Sequence, residues 1–169
     1  MYRQSCFMIC FVFLFSVGCS GGKVAERIAE MNSTPIKKLI TCYSFYQSRN
    51  NFRGPKDEAA LREFIADDKN QKGFDRAGID TSDIDALFIS ERDGQPFKIK
   101  YGVPGSPMGF VEPLIFESEG VDGEVMVGFG GATTKLMSLE ESEKLFKSKK
   151  RIKVDRQDSA PQDAASEEG

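Results

Sequence analysis

Histidine is absent from this 169-residue chain, and that omission sets which chemistry its side chains can do. Imidazole is the usual general base near neutral pH and the commonest metal ligand, so Ser/His/Asp and Cys/His nucleophilic sites and histidine-bearing zinc sites are excluded. Carboxylate chemistry, lysine chemistry or none survives. Asp75, Asp80, Asp83 and Asp85 offer oxygen atoms for a hard cation, and Asp80, Asp83 and Asp85 are the closest to a calcium set. Their spacing departs from the Asp-x-Asn/Asp-x-Asn/Asp-Gly loop of an EF-hand, and a solvated loop with one helix-capping aspartate explains them as well. Glu91-Arg92-Asp93 reads either as a carboxylate pair or as the approach to a tight turn at Asp93-Gly94. Gly128-Phe129-Gly130-Gly131 lacks the spacing of a phosphate-binding loop and precedes strand-like sequence. No catalytic residue, resident metal or cofactor is assigned from these patterns.

Cysteine supplies the other reactive group. Of Cys6, Cys10, Cys19 and Cys42, the first two lie in an apolar run from Cys6 to Phe15 that follows Arg3 and leads into Ser16-Val17-Gly18-Cys19. A positive start, an apolar stretch of about ten residues and small residues before a cut define an export signal, and the stretch is shorter than the roughly 17–25 residues that span a bilayer. Gly18 before Cys19 resembles the bacterial lipoprotein signal. That resemblance implies cleavage after residue 18, a diacylglycerol on the Cys19 sulfur and an acylated N-terminal amine, hence a chain exported and held to a membrane by lipid. Several buried chains at about 0.8 kcal/mol per methylene hold far better than one myristoyl group. Ser16 stands where that family most often has Leu, so an ordinary cleaved signal with Cys19 as a bystander is the alternative. Ser20, not Asp, follows the cysteine, which favours the outer membrane or the periplasmic face. Cys42 then remains alone, on the apolar side of a helical pattern, where burial is expected.

Residues 19–34 comprise the lipidated end, a Ser-Gly-Gly spacer and a weak helix with Val24, Ile28 and Met31 at helical spacing. Ser33 or Thr34 can cap the next helix, with Pro35 at its first position and Ile36, Leu39, Ile40, Tyr43 and Tyr46 along one side. Gly54-Pro55 ends that segment. Asp57 opens a second helix carrying Ala60, Leu61, Phe64 and Ile65. The charged stretch from Asp67 to Gly78 reads as loop. Ala86 to Ser90 reads as a strand, Asp93-Gly94 as its turn, and Phe97, Ile99 and Tyr101 as the core face of the next strand, with Lys98 and Lys100 in water. Gly102 to Gly109, with two prolines, is a surface loop. Leu114 to Glu117 and Glu124 to Gly130 flank the turn at 120–123, Thr133 to Met137 forms a further strand, and Ser138 with Glu141 makes a capping box for a short last helix.

These elements predict an α+β fold, with N-terminal helices on a small antiparallel meander of about four or five strands and a short C-terminal helix, within a single domain over 35–146. The polar segment 147–169 is expected to be a disordered charged tail. Removing Arg3 with the signal leaves 22 basic against 26 acidic side chains, and this acidity without a basic stripe argues against nucleic acid as a partner.

Arg53-Gly54-Pro55, Glu58 to Ile65 and Ser90 to Phe97, within residues 36–146, resemble small, mostly uncharacterised bacterial lipoproteins. Thr133 to Phe146, a strand leading to a short helix, more faintly resembles the globular head of prepilin-like and pseudopilin proteins. Those proteins retain the hydrophobic helix that packs their filament, whereas here a removable signal stands in its place. The resemblances imply a non-catalytic envelope protein with a structural or protein-interaction role. The alternatives are a binding module for a peptide, a cell-wall fragment or a calcium ion through the Gly102 to Gly109 loop, a pseudopilin-like assembly component, and last a carboxylate-based hydrolase. Its partners are expected to be the membrane, through Cys19, and envelope proteins whose identity the sequence leaves open.

Overall fold

A computed structural model describes residues 32–105, 110–148 and 152–153; Cys19, the expected export signal and the expected weak helix at 24–31 lie outside the described residues. Helix α1 spans Pro35–Arg49, α2 Glu58–Ala66, α3 Asp68–Arg76, and α4 is the single turn Ile84–Leu87. Strands follow at Lys98–Ile99 (β1), Phe110–Val111 (β2), Pro113–Phe116 (β3), Glu124–Phe129 (β4) and Thr133–Ser138 (β5); helix α5 is Leu139–Lys147, and Ile152–Lys153 form β6. The main sheet runs β1-β3-β4-β5, antiparallel throughout, and β2 pairs with β6 in a separate ribbon. The architecture is α+β, as the patterning predicts.

Helix α1 forms for the reasons its sequence suggests, with one exception at its start. Pro35 occupies the first turn and the N-cap falls on Thr34, but the threonine side chain makes no capping bond. Asn32 secures the entry instead. Its amide donates to Ala77 O at 2.6 Å and its carbonyl oxygen accepts from the Thr41 hydroxyl at 2.7 Å. Ile36, Leu39, Ile40, Cys42 and Tyr43 are all buried, a stripe wide enough to lie across a sheet. Asp57 caps α2 by accepting from Ala60 N at 2.8 Å. The capping box at Ser138 and Glu141 opens α5 as expected.

The sheet is covered on both faces. Ile115 and Leu114 join the cluster built by α1–α4, in which Leu61, Ile65 and Phe74 are fully buried. Gly128 marks the closest approach of that layer: a Cβ there would lie 2.5 Å from Ile40 Cδ1, so only glycine lets α1 sit this near β4. On the opposite face Phe116, Val125, Val127 and Phe129 meet Leu145 and Phe146 of α5, with the Phe116 and Phe146 rings edge to face at 5.2 Å. Side chains of β4 thus alternate between two cores.

Three segments differ from expectation. The stretch read as loop from Asp67 contains α3, whose buried stripe is Asn70 and Phe74. Asn70 and Gln71 donate to Phe64 O and Ile65 O at 2.8 and 2.7 Å, satisfying the last carbonyls of α2. A search for apolar periodicity misses such a helix because half of its buried stripe is polar. Ala86 to Ser90 is not a strand; α4 takes its first residues, and only a bridge between Ile89 and Pro96 remains of the expected pairing. Part of the segment 147–169, expected to be a disordered tail, is ordered in the structure. Lys147 still belongs to α5 and Ile152–Lys153 pair with Phe110–Val111, while 149–151 and 154–169 lie outside the described residues.

Candidate functional site

The aspartates read as possible calcium ligands go to separate partners. Asp80 accepts from Ser82 N at 2.9 Å, and this backbone donor, then the Ser82 hydroxyl, holds its carboxyl below the usual range. Asp83 caps α4 through Ala86 N at 3.1 Å. Asp85 pairs with Arg62 at 2.6 Å, and the same guanidinium reaches Glu58 at 2.7 Å and lies 4.0 Å over the Phe88 ring. Asp75 is exposed on α3. Among the described residues no three His, Cys, Asp or Glu side chains gather where a metal ion could be held. Asp80 and Asp83 do share a cleft of about 420 Å³ with Lys38 and Glu91, lined also by Pro35, Leu87 and Ile89.

Beside that cleft the Ser90 to Gln95 turn resolves the Glu91-Arg92-Asp93 question. Asp93 accepts from Gln95 N at 3.0 Å, Glu119 N at 3.0 Å and Gly120 N at 2.8 Å. Partial burial pushes its carboxyl up, but the bonds from Gly120, Gln95 and Glu119 outweigh it and leave the group below the ordinary aspartate value. Gly94 completes the turn at φ 68°, in the left-handed region that glycine adopts without strain. Arg92 turns the other way, to Glu117 Oε2 at 2.7 Å.

Glu117 is the residue that sequence reasoning misses. It is 3% exposed, and Ser90 Oγ donates to its Oε1 at 2.8 Å while Met126 N donates to its Oε2 at 2.7 Å. A buried carboxylate is tolerated only when paired and hydrogen-bonded, and these donors meet that requirement. Its sequence signal is faint: a glutamate directly after the apolar run Leu114 to Phe116 reads as the place where a strand meets water. Ser90, Arg92, Asp93 and Glu117 therefore form a clamp that ties the 90–95 turn to the 117–120 turn. Glu91 alone of the expected pair faces the cleft.

A second cleft, of about 230 Å³, borders the described part of the Gly102 to Gly109 loop at Pro104 and Gly105 and is lined also by Gln47, Phe52 and Leu114. The loop is pinned: Tyr43 Oη donates to Lys100 O at 2.9 Å and accepts from Val103 N at 3.1 Å, and Gln47 Nε2 donates to Val103 O at 2.9 Å. Burial raises the Tyr43 phenol far above its usual value. Phe52 is 67% exposed with φ 60°, an unusual conformation for a bulky residue, and its carbonyl accepts from Gly105 N at 2.7 Å. Residues 106–109 lie outside the described residues.

Cys42 is buried and free, and burial pushes its thiol up to about 12. Among the described residues no helix is long and apolar enough to cross a membrane. The chain matches no protein-family model, no curated protein and no solved structure.

Proposed function

We propose that this is a lipid-anchored protein of the bacterial cell envelope whose globular head works through non-covalent contacts with other envelope components and not through catalysis. The observation that carries the reading is the sequence Ser16-Val17-Gly18-Cys19 at the end of an apolar run too short to span a bilayer. The site geometry supports the second half of the proposal. Carboxylates that could otherwise serve chemistry are engaged in building the fold: Asp93 and Glu117 clamp two turns, Asp83 caps a helix, and Asp85 holds Arg62. The test is partition and mass of the N-terminus. Wild-type protein should enter the detergent phase with a diacylglycerol-modified Cys19, and Cys19→Ala should remain as an uncleaved or soluble form. Wild-type protein that is wholly soluble with an unmodified N-terminus would overturn the proposal.

A second reading is a binding module at the Phe52 and Pro104 cleft. An exposed aromatic in a strained backbone beside an open cleft favours it, since such strain gathers at ligand-contacting positions. Short peptides and soluble cell-wall fragments should then raise the melting temperature of wild type and not of Phe52→Ala.

A further inference from the structure

The two edges of the main sheet are built differently. Edge strand β1 has two residues, follows Pro96 and carries Lys98, the devices that keep a sheet edge from pairing. Edge strand β5 has six residues, Thr133 to Ser138, and though it too carries a lysine, Lys135, it has neither proline nor bulge and its register with β4 is unbroken. Leu139 N donates to Gly123 O at 3.3 Å, which phases the ladder: Thr133, Lys135 and Met137 turn their backbone groups to β4, and Thr134, Leu136 and Ser138 turn theirs outward. Leu136 is 44% exposed on this edge and shares its face with Met126, its partner on β4.

We propose that β5 pairs antiparallel with β5 of a second copy of this chain, about a two-fold axis through Leu136, to make one continuous eight-stranded sheet. Two registers pair five residues of each β5 and set outward groups opposite outward groups. One is centred on Lys135, which would place Lys135 against its own mate in a closely spaced pair, and like charges directly opposite are destabilising. The other is centred on Leu136. It sets Lys135 opposite Met137 and Thr134 opposite Ser138, with no like charges facing, and aligns Met126, Leu136, Leu136 and Met126 of the two copies in one apolar row on the α1 face. The self-complementarity of that row selects a second copy over a foreign strand, and a two-fold interface needs a patch of this kind. The association involves no residue of the lipid anchor.

Sedimentation of the full chain in non-ionic detergent at tens of micromolar should give a dimer, with the Leu136 amide protected from hydrogen exchange. Leu136→Lys, which sets like charges across the axis at an exposed position, and Thr134→Pro, which removes an outward donor, should each weaken the dimer at least about tenfold and expose that amide, with unchanged circular dichroism. Lys98→Ala on the opposite edge should leave it intact. A monomeric wild type, or a dimer that survives both β5 variants, would overturn the proposal, as would protection of the Leu136 amide only when another protein is added.

Discussion

Glu117 is the one buried carboxylate among the described residues, although nothing in its sequence neighbourhood distinguishes it. Two side chains and a backbone amide donate to a carboxylate that is 3% exposed. Deleting it would leave the buried Ser90 hydroxyl and Met126 N without their acceptor, and orphaning a buried donor costs about 1–3 kcal/mol, while the partly exposed Arg92 guanidinium can turn to water. Glu117→Ala should therefore move the urea midpoint far more than Glu140→Ala, whose pairing with Lys144 is exposed. Equal shifts would mean that the clamp contributes little. Asp93 adds a pH signature. Because its folded value lies below the usual one of about 3.9, its ionised form is favoured by folding. That contribution is complete above the unfolded value and is lost as pH falls through the folded value. Asp93→Asn should flatten the fall in melting temperature below about pH 4, and an unchanged acid profile would discount the turn bonds. Cys42 was legible where Glu117 was not, because its position on an apolar helical stripe predicts burial directly. With a thiol at about 12, it should label with maleimide much more slowly in the folded state than in denaturant.

At the scale of elements, legibility followed how apolar the buried stripe is. Helix α1, strand β4 and the capping box of α5 carry unmixed patterns that predict them; α3 is largely polar and α4 is a single turn, and both are held by side-chain bonds to other elements, so periodicity does not find them. The strand after Asp93-Gly94 shows both outcomes. Ile99 is 8% exposed and Lys98 is exposed, as alternation predicts. Lys100 instead reaches across to α5, where its ammonium donates to Leu145 O at 3.3 Å and Ser148 O at 2.6 Å, and partial burial lowers its value. A cation at the last carbonyls of a helix also complements the negative end of the helix dipole. Ile99→Ala should cost about 2–5 kcal/mol, and Lys100→Ala about 1 kcal/mol where a wholly solvated lysine would cost almost nothing. A Lys100→Ala melting curve that superimposes on wild type would show that the contact to α5 is not maintained in solution.

On the scale of the whole molecule, patterning predicts the α+β class but not the division into two cores by one sheet. Alternation in β4 was clear, yet the inward positions Val125, Val127 and Phe129 point to α5, and the face toward α1 is presented by Met126 and Gly128, the latter with no side chain to register in a pattern. Gly128 is where that layering can be tested. A Cβ added there meets the ends of Ile40 at 2.5 and 3.0 Å and Ile36 at 3.1 Å, and these side chains belong to the fully packed centre of α1. Gly128→Val should force α1 outward or its isoleucines off their rotamers, at about 1–3 kcal/mol. Ile40→Ala alone should cost about 2–5 kcal/mol by leaving a cavity. Combined, the larger residue on the strand fills part of the space vacated on the helix, so the double variant should be more stable than the sum of the two losses implies, by about 0.5–3 kcal/mol. Both α1 and β4 should still unfold in one transition, because the contacts being exchanged join the helical layer to the sheet. Strict additivity of the two changes would mean that α1 does not rest on Gly128, and the close approach of the helical layer to the sheet would have to be given up.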